Sequence, residues 1–331
     1  PLISAIEAIA KFIRKNSVVI IESTINPGTC EEILVPLIED ATNLHIGDDV
    51  TLAHCPERIN PADPKWNIYN IARNVGSVPN EEAHKIAEFY GSFLDAEIHP
   101  MSSIKVAEST KIIENTFRDI NIAYVNELAQ SFDAMGIDLY ETIQGASNKP
   151  FGFMPHWPGA GVGGHCIAVD PYYLIKRAEK SGFDHKFLKR ARQINNYMPK
   201  YAVERLADAL IKREKSIDTT TVGVLGVSYK PNVSDTRESP ALEIITHLRD
   251  SGANVEIFDP LVPEYSTKET LEELLQGVDA ILLATAHPQI IEKLTPKILK
   301  KHKIEVVLDG RNVLDKKSIE SEGILYRGIG R

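Results

Sequence analysis

The chain has 331 residues, 43% hydrophobic and 25% charged, which is ordinary for a globular protein and long enough for two or three packed units. Its net charge of −9, with ten histidines counted as neutral, argues against nucleic acid or an anionic membrane as the main partner. The apolar runs fall short of the ~20 residues a membrane span needs, and three scattered cysteines, Cys30, Cys55 and Cys166, make no disulfide framework, so a reducing cytoplasm is expected.

Leu2 to Lys15 carries apolar residues at helical spacing, and SVVIIEST, Ser17 to Thr24, is a short β-branched run. Helix followed by buried strand is the rhythm of a doubly wound sheet. Pro1 already falls inside the helical pattern, which predicts a chain truncated at its N-terminus. Pro27, Gly28 and Thr29 turn into a helix ending near Glu39, TLAHCPE (Thr51 to Glu57) reads as a second strand, and Ile71 to Pro100 supplies strand, helix and strand. Residues 1–100 thus read as the back half of a Rossmann-like domain that lacks its Gly-rich first turn.

Ser102 to Met135 predicts one long helix, with Val106, Ile113, Phe117, Ile120 and Leu128 among its apolar positions and no Pro or Gly before Gly136. Such a helix exceeds the needs of one small domain, so it bridges domains or forms a dimer seam. Helices at Pro171 to Ser181 and His185 to Lys212 complete a helical segment over 101–215. A second alternating unit, 216–331, opens with the strand TVGVLGV at Thr221, then SPALEIITHLRDSG as a helix ending at Gly252, and NVEIFDP, DAILLATA and EVVLDGR as strands. The expected fold class is α/β, with two Rossmann-like units, the first incomplete, joined by a long central helix and a helical domain.

PGAGVGGHC, Pro158 to Cys166, matches G-x-G-x-x-G through Gly159, Gly161 and Gly164. A dinucleotide fingerprint needs a strand before it, a helix directly after it and an acidic residue ~20 positions on. Pro155 and Pro158 rule out a central strand here, and Asp170 and Pro171 stand before the expected helix. A glycine-rich loop ending at a Cys just ahead of a helix N-terminus suits a thiolate, because the helix field lowers a thiol's pKa. The plain alternative is a buried, inert Cys beside a flexible turn. GVLG, Gly223 to Gly226, is a weak phosphate signal or simply a tight strand end. Beyond it, Tyr229, Lys230 and Arg237 offer an aromatic and two cations where open α/β sheets bind ligands, which suits a nucleobase and a diphosphate.

Lys111 and Asn115, four apart, share a helix face. Glu108 and Glu114 are expected to pair with Lys111 or Arg118 on a solvated surface, and position alone favours that reading over a site. His54-Cys55 and His165-Cys166 do not predict a metal site, since neighbours on a strand face opposite ways and no C-x-x-C accompanies them. Cys30 and Cys55 read as packing residues.

Several of these motifs together resemble the UDP-glucose/GDP-mannose dehydrogenase family: GVGGHCIAVDP a catalytic-cysteine loop, KVAESTKIIENTFRDINIAYVNELA a central helix, VGVLGVSYKPNVSDTRESPALEI the opening of a UDP-binding domain, and ESTINPGT and CPER loops of an NAD domain. NKPFGFMPHWPGAGVGGHC resembles the branch acting on UDP-N-acetylhexosamines, UDP-N-acetylglucosamine first and UDP-N-acetylmannosamine or UDP-glucose as alternatives. The resemblance implies an NAD-dependent four-electron oxidation at C6 to a uronic acid, with two NAD consumed per sugar. Cys166 would be the nucleophile that forms a thiohemiacetal and then a thioester. Lys111 would stabilise oxyanions, Asn115 would hold the reacting oxygen or a water, Asp170 would assist proton transfer and Glu57 would activate water. Ser23, Thr24 and Arg237 would lie near the cofactor, and Phe153, Gly163, Tyr229, Lys230 and Arg311 would hold the substrate. Position 61 is Pro where many members carry a second Glu. The family's Gly-rich NAD turn would lie upstream of Pro1, so the expectation is a chain that binds a UDP-sugar, binds NAD weakly and is inactive as a fragment. A cytoplasmic homodimer is expected, with neither nucleic acid nor membrane as partner.

Overall fold

The computed structural model describes residues 1–60 and 63–331, so the expectation at Pro61 lies outside the described residues. Two compact units emerge, one from Pro1–Phe117 and Asp170–His185, the other from Arg118–Val169 and Lys186–Arg331.

In the first unit α1 (Leu2–Ala10) leads into β1 (Val18–Ile21), and a π-helical turn at Cys30–Leu34 opens α2 (Val35–Thr42). Then come β2 (Thr51–His54), β3 (Arg73–Val78), α3 (Glu82–Gly91) and β4 (Ile98–Pro100). The sheet runs β1-β2-β3-β4. β1 and β2 are parallel, as are β3 and β4, but β2 and β3 are antiparallel. A parallel pair needs a crossover, usually a helix, and the described part of 55–72 forms none.

The β-branched run of β1 reads as continuous because the sheet is covered on both faces. Along β2, Leu52 joins a cluster with Ile6, Ile21, Leu34 and Ile38, while Ala53 joins Val75, Ile86 and Tyr90. Successive side chains of a strand point to opposite faces, so the two clusters are the two sides of one sheet. Fully burying a side chain such as Leu52 stabilises by roughly 1.5–3 kcal/mol.

The long helix α4 spans Ile104–Met135, close to its expected limits, and Phe117 is its last residue in the first unit. The second unit continues with α5 (Leu139–Ala146), whose N-cap Asp138 accepts from the Glu141 N–H. Next are α6 (His165–Lys180), whose later residues return to the first unit, and α7 (Lys186–Ile211). The segment before α6 forms neither strand nor helix between 151 and 164.

The second sheet has β5 (Thr221–Leu225), β6 (Asn254–Phe258), β7 (Ala280–Leu283), β8 (Val306–Asp309) and β9 (Leu325–Gly328) in the order β6-β5-β7-β8-β9, all parallel. Between them lie α8 (Pro240–Asp250), α9 (Leu271–Gln276), α10 (Pro288–Ile291), α11 (Pro296–Lys301) and α12 (Lys316–Ser321). Ser239 caps α8 ahead of Pro240, and Thr270 and Glu273 form a reciprocal capping box on α9, satisfying N–H groups that a helix start leaves without partners.

Strand order reverses at β5, which sits between β6 and β7. In open α/β sheets such a switch point opens a crevice at the carboxyl ends of the strands. Gly226 there has φ +83, and a Cβ on it would lie 2.5 Å from Thr285 Cβ and 2.6 Å from Thr285 O. GVLG is therefore a tight strand end rather than a phosphate loop.

Candidate active site

In the first unit, the start of α4 turns Glu108, Lys111 and Asn115 to one face, as spacings of three and four dictate. All three are buried, with Lys111 at 9% exposure and Asn115 at 5%. Asn115 Nδ2 donates to Asp170 Oδ2 at 2.5 Å, and Asp170 is itself buried. The amide donor leaves this carboxylate oriented as an acceptor.

Glu108 departs from expectation. It is fully buried and accepts from the backbone N–H of Gly28 and from that of Cys30, the latter at 2.8 Å. Burial pushes its carboxyl above the usual carboxylate range, against the pull of those N–H groups. Glu114 pairs with Arg58 at 2.7 Å rather than with Lys111 or Arg118. Helical periodicity places charges on a face but does not say what covers that face.

Glu57 is half-buried, and its carboxylate accepts from the Ile59 N–H. Ser23 and Thr24 line a cavity of about 520 Å³ with Asn26, Thr29 and Tyr173. Asn26 lies within the motif ESTINPGT but is given no role by it, and its Oδ1 is buried without a hydrogen-bond partner. An unsatisfied buried acceptor costs about 1–3 kcal/mol, so this one fits a ligand that brings an N–H. Four hydroxyl-bearing residues, Ser23, Thr24, Thr29 and Tyr173, and the Asn26 amide in one cavity suit the carboxamide of a nicotinamide.

In the second unit the glycine-rich segment is pinned at three points. Gly159 N donates to Asn126 Oδ1 at 3.0 Å, Ala160 N to Gly310 O at 3.1 Å and Gly164 N to Arg237 O at 3.3 Å. Gly161 and Gly164 take φ +124 and +83, values that favour glycine. A Cβ on Gly163 would stand 2.6 Å from Glu238 O, and one on Gly164 would stand 2.7 Å from Tyr229 Cε2. The loop thus packs backbone-to-ring against Tyr229.

α6 begins at His165, six residues earlier than the expected Pro171, so Cys166 is its second residue and not part of a loop ahead of it. Gly164 ends the loop, and Pro171 lies inside the helix. Cys166 is exposed, whereas Cys30 and Cys55 are buried. Its negative charge would be felt at both Tyr229 and Arg237. Burial pushes the Tyr229 hydroxyl above its ordinary value, reinforced by Asp235 and Cys166 and opposed by Arg237.

Arg237 is itself paired with Asp235 at 2.6 Å, and Lys230 lies 5.8 Å from the Tyr229 ring centre. Arg311 Nε donates to Ala284 O at 2.6 Å, and burial pulls its pKa below the usual guanidinium value while Asp309 opposes this. Phe153 packs on the main apolar core.

Asn126, missed in the sequence, belongs to a buried chain. Its Nδ2 donates to Asn195 Oδ1 at 2.9 Å, Asn195 Nδ2 donates to Asp119 Oδ1 at 2.8 Å, and Arg192 pairs with Asp119 at 2.6 Å. Asp119 and Asn126 are seven apart on α4 and so share a face, which was the one available signal. His54 is wholly buried, with neither ring nitrogen partnered, and burial pulls its pKa down to about 4. Among the described residues no three of His, Cys, Asp or Glu gather to hold a metal ion, and no helix is long and apolar enough to cross a membrane.

Tyr229 and Arg311 stand just past the carboxyl ends of β5 and β8, where parallel sheets bind nucleotides, and an exposed thiol, Cys166, lies close enough to Tyr229 to act on its hydroxyl. The class is a nucleotide-binding α/β protein with an exposed cysteine beside its nucleotide crevice. Family models give it its chemistry: the NAD-binding, central and UDP-binding domains of the UDP-glucose/GDP-mannose dehydrogenase family match residues 1–94, 105–197 and 223–316. The chain belongs to that family of NAD-dependent nucleotide-sugar dehydrogenases.

It is 38% identical over 328 residues to the UDP-N-acetyl-D-mannosamine dehydrogenase of Pyrococcus horikoshii, covering 99% of this chain and 76% of that one. It is 38% identical over 322 residues to the UDP-N-acetyl-D-glucosamine 6-dehydrogenase of Pseudomonas aeruginosa, covering 95% and 76%. The solved P. horikoshii enzyme superposes with TM-score 0.91 at 37% identity, over 100% of this chain and 76% of that one. An NDP-N-acetyl-D-galactosaminuronic acid dehydrogenase from Methanosarcina mazei superposes with TM-score 0.90 at 34% identity, over 100% and 73%. The expectation of an incomplete NAD-binding domain finds no support, because that domain's model matches residues 1–94.

Proposed function

We propose that the chain oxidises C6 of a UDP-N-acetylhexosamine to the uronic acid, with residues 1–100 serving NAD, 101–215 the chemistry and 216–331 the UDP moiety. The observation that carries this reading is Cys166, exposed at the start of α6 and bordered by the glycines that pack on Tyr229. Relatives named for two C2 epimers share 38% identity with the chain, so UDP-N-acetylglucosamine and UDP-N-acetylmannosamine are the substrates to compare.

NAD supplies the hydride acceptor, once for each of two oxidations. Ser23, Thr24 and Asn26 would hold its nicotinamide end. Asp170, held by Asn115, takes the proton from the C6 alcohol as the first hydride leaves. Cys166 Sγ then adds to the aldehyde carbon, and Lys111 stabilises the oxyanion of the thiohemiacetal. Loss of the second hydride leaves a thioester on Cys166, and Glu57 draws a proton from the water that hydrolyses it. Gly163 and Phe153 would shape the sugar pocket, while Tyr229, Lys230 and Arg311 hold the uridine diphosphate. The thiol must stay reduced to act, which suits the cytoplasm.

The test is NADH formation against a panel of UDP-sugars. Two NADH per UDP-N-acetylhexosamine are expected; turnover of UDP-glucose alone would overturn the substrate reading.

A homodimer on α4 belongs to the same proposal. Val106, Ile113, Phe117 and Tyr124 are 38%, 61%, 47% and 56% exposed. Their spacings of seven, four and seven return to one helix face, an apolar stripe that invites a partner. Light scattering should give twice the chain mass for the wild type and the chain mass for the Ile113→Glu/Phe117→Glu variant; a monomeric wild type at micromolar concentration removes the seam.

A further inference from the structure

We infer that His287 is a positioning residue that presets the nucleotide-binding segment through a single tautomer of its ring. It lies just past β7, fully buried, as are Asp259 past β6 and Ser228 past β5. Three carboxyl ends of one parallel sheet thus meet at one imidazole.

The proton inventory fixes the ring's state. Ser228 Oγ donates its only hydrogen to Lys230 O at 3.0 Å, so towards His287 Nε2, 3.0 Å away, it can only accept. Asp259 Oδ2, 3.2 Å from the same Nε2, is also an acceptor. Its carboxylate takes the N–H groups of Val227 at 2.6 Å, Ser228 at 3.1 Å and, on Oδ1, Leu261 at 2.8 Å. Burial pushes Asp259 up, but these bonds and the one from His287 outweigh it and hold the carboxyl at about 2. Nε2 therefore carries the proton. On the other side Asn232 N donates to Nδ1 at 3.3 Å, which requires a bare Nδ1. Neutral, Nε2-protonated imidazole is the form that satisfies every contact.

The segment it holds is the one that matters for the ligand. Asn232 sits at φ +63 and Glu238 at φ +51, left-handed conformations that persist only where the surroundings enforce them. Tyr229 and Lys230 lie between the Ser228 and Asn232 anchors, and the Tyr229 N–H closes onto Asp235 O at 3.0 Å. The bond to Nδ1 holds the left-handed residue just past the two side chains proposed to grip the diphosphate. Pre-ordering of this kind raises affinity by removing the cost of fixing the loop on binding.

The inference rests on reading this segment as the UDP-binding one, and two measurements keep the failures apart. Asparagine places an acceptor where Nδ1 stands, whereas glutamine reaches the Nε2 position and leaves the Nδ1 position empty. In UDP titrations of the full chain, His287→Asn should stay within about twofold of the wild type and His287→Gln should bind about tenfold more weakly, with kcat at saturating sugar held in both. Two-bond proton–nitrogen spectra of the wild type at neutral pH, with the His287→Gln spectrum as assignment, should show Nε2 protonated and Nδ1 bare. A proton on Nδ1, or equal UDP affinity in wild type and both variants, overturns the inference. A wild type that fails to bind UDP overturns the functional reading instead, and the tautomer still decides the anchor.

Discussion

Cys166→Ser should abolish formation of the uronic acid, lowering turnover by a factor on the order of 10⁴ or more, the scale seen when a covalent nucleophile is removed. A serine hydroxyl stays protonated at neutral pH, where a thiolate is the far stronger nucleophile. Without the acyl adduct the second hydride has no thiohemiacetal to leave from, so the variant yields at most one NADH per sugar. Cys30→Ala and Cys55→Ala should keep both, since these thiols are wholly buried and burial pushes their pKa values up. Equal yields of acid from wild type and Cys166→Ser would remove Cys166 from the chemistry.

Gly163→Ala should lower turnover by about 10² or more, the usual consequence of displacing reacting groups by an ångström. Its Cβ would fall 2.6 Å from Glu238 O, 2.7 Å from Pro240 Cδ and 2.9 Å from Tyr229 Cβ. None of these is the tip of a flexible side chain, so the loop itself must move, and Cys166 and Tyr229 move with it. Gly159→Ala is the control. Its nearest contacts would be Arg311 Nη1 at 3.3 Å and Gly310 O at 3.4 Å, which a small shift relieves, so activity should stay within about tenfold of the wild type. Steady-state kinetics beside melting curves separate a misplaced site from a lost fold; a fully active, normally melting Gly163→Ala chain contradicts the packing described.

What was legible in advance lay in local patterns. α4 could be read from end to end because its apolar positions recur with the helical period, uninterrupted by Pro or Gly. β1 and β5 were legible as β-branched runs, and the cysteine loop as glycines too dense for a plain turn. The start of α6 was not. Asp170-Pro171 reads as a helix break, because the residue before proline avoids the helical region, yet both are buried within the helix and their packing outweighs the local preference. β9, with the sequence LYRG, lacks the alternation that marks a strand and is fixed by pairing with β8.

By itself the sequence determined the alternation of helices and strands, the long central helix and the motif set that assigns the family, all of which depend on neighbours along the chain. Only the tertiary structure decided which charges meet water. Glu108 looked like a surface carboxylate because nothing within a helical turn marks it otherwise; it is buried because Gly28 and Cys30, some 80 positions away, present N–H groups that need an acceptor. The same holds for Asn126 with Asn195 and for His287 with Asp259 and Asn232. Hydrogen bonds between segments distant in sequence leave no periodicity, since the chain between the partners is free to vary, and they become visible once the fold has brought their ends together.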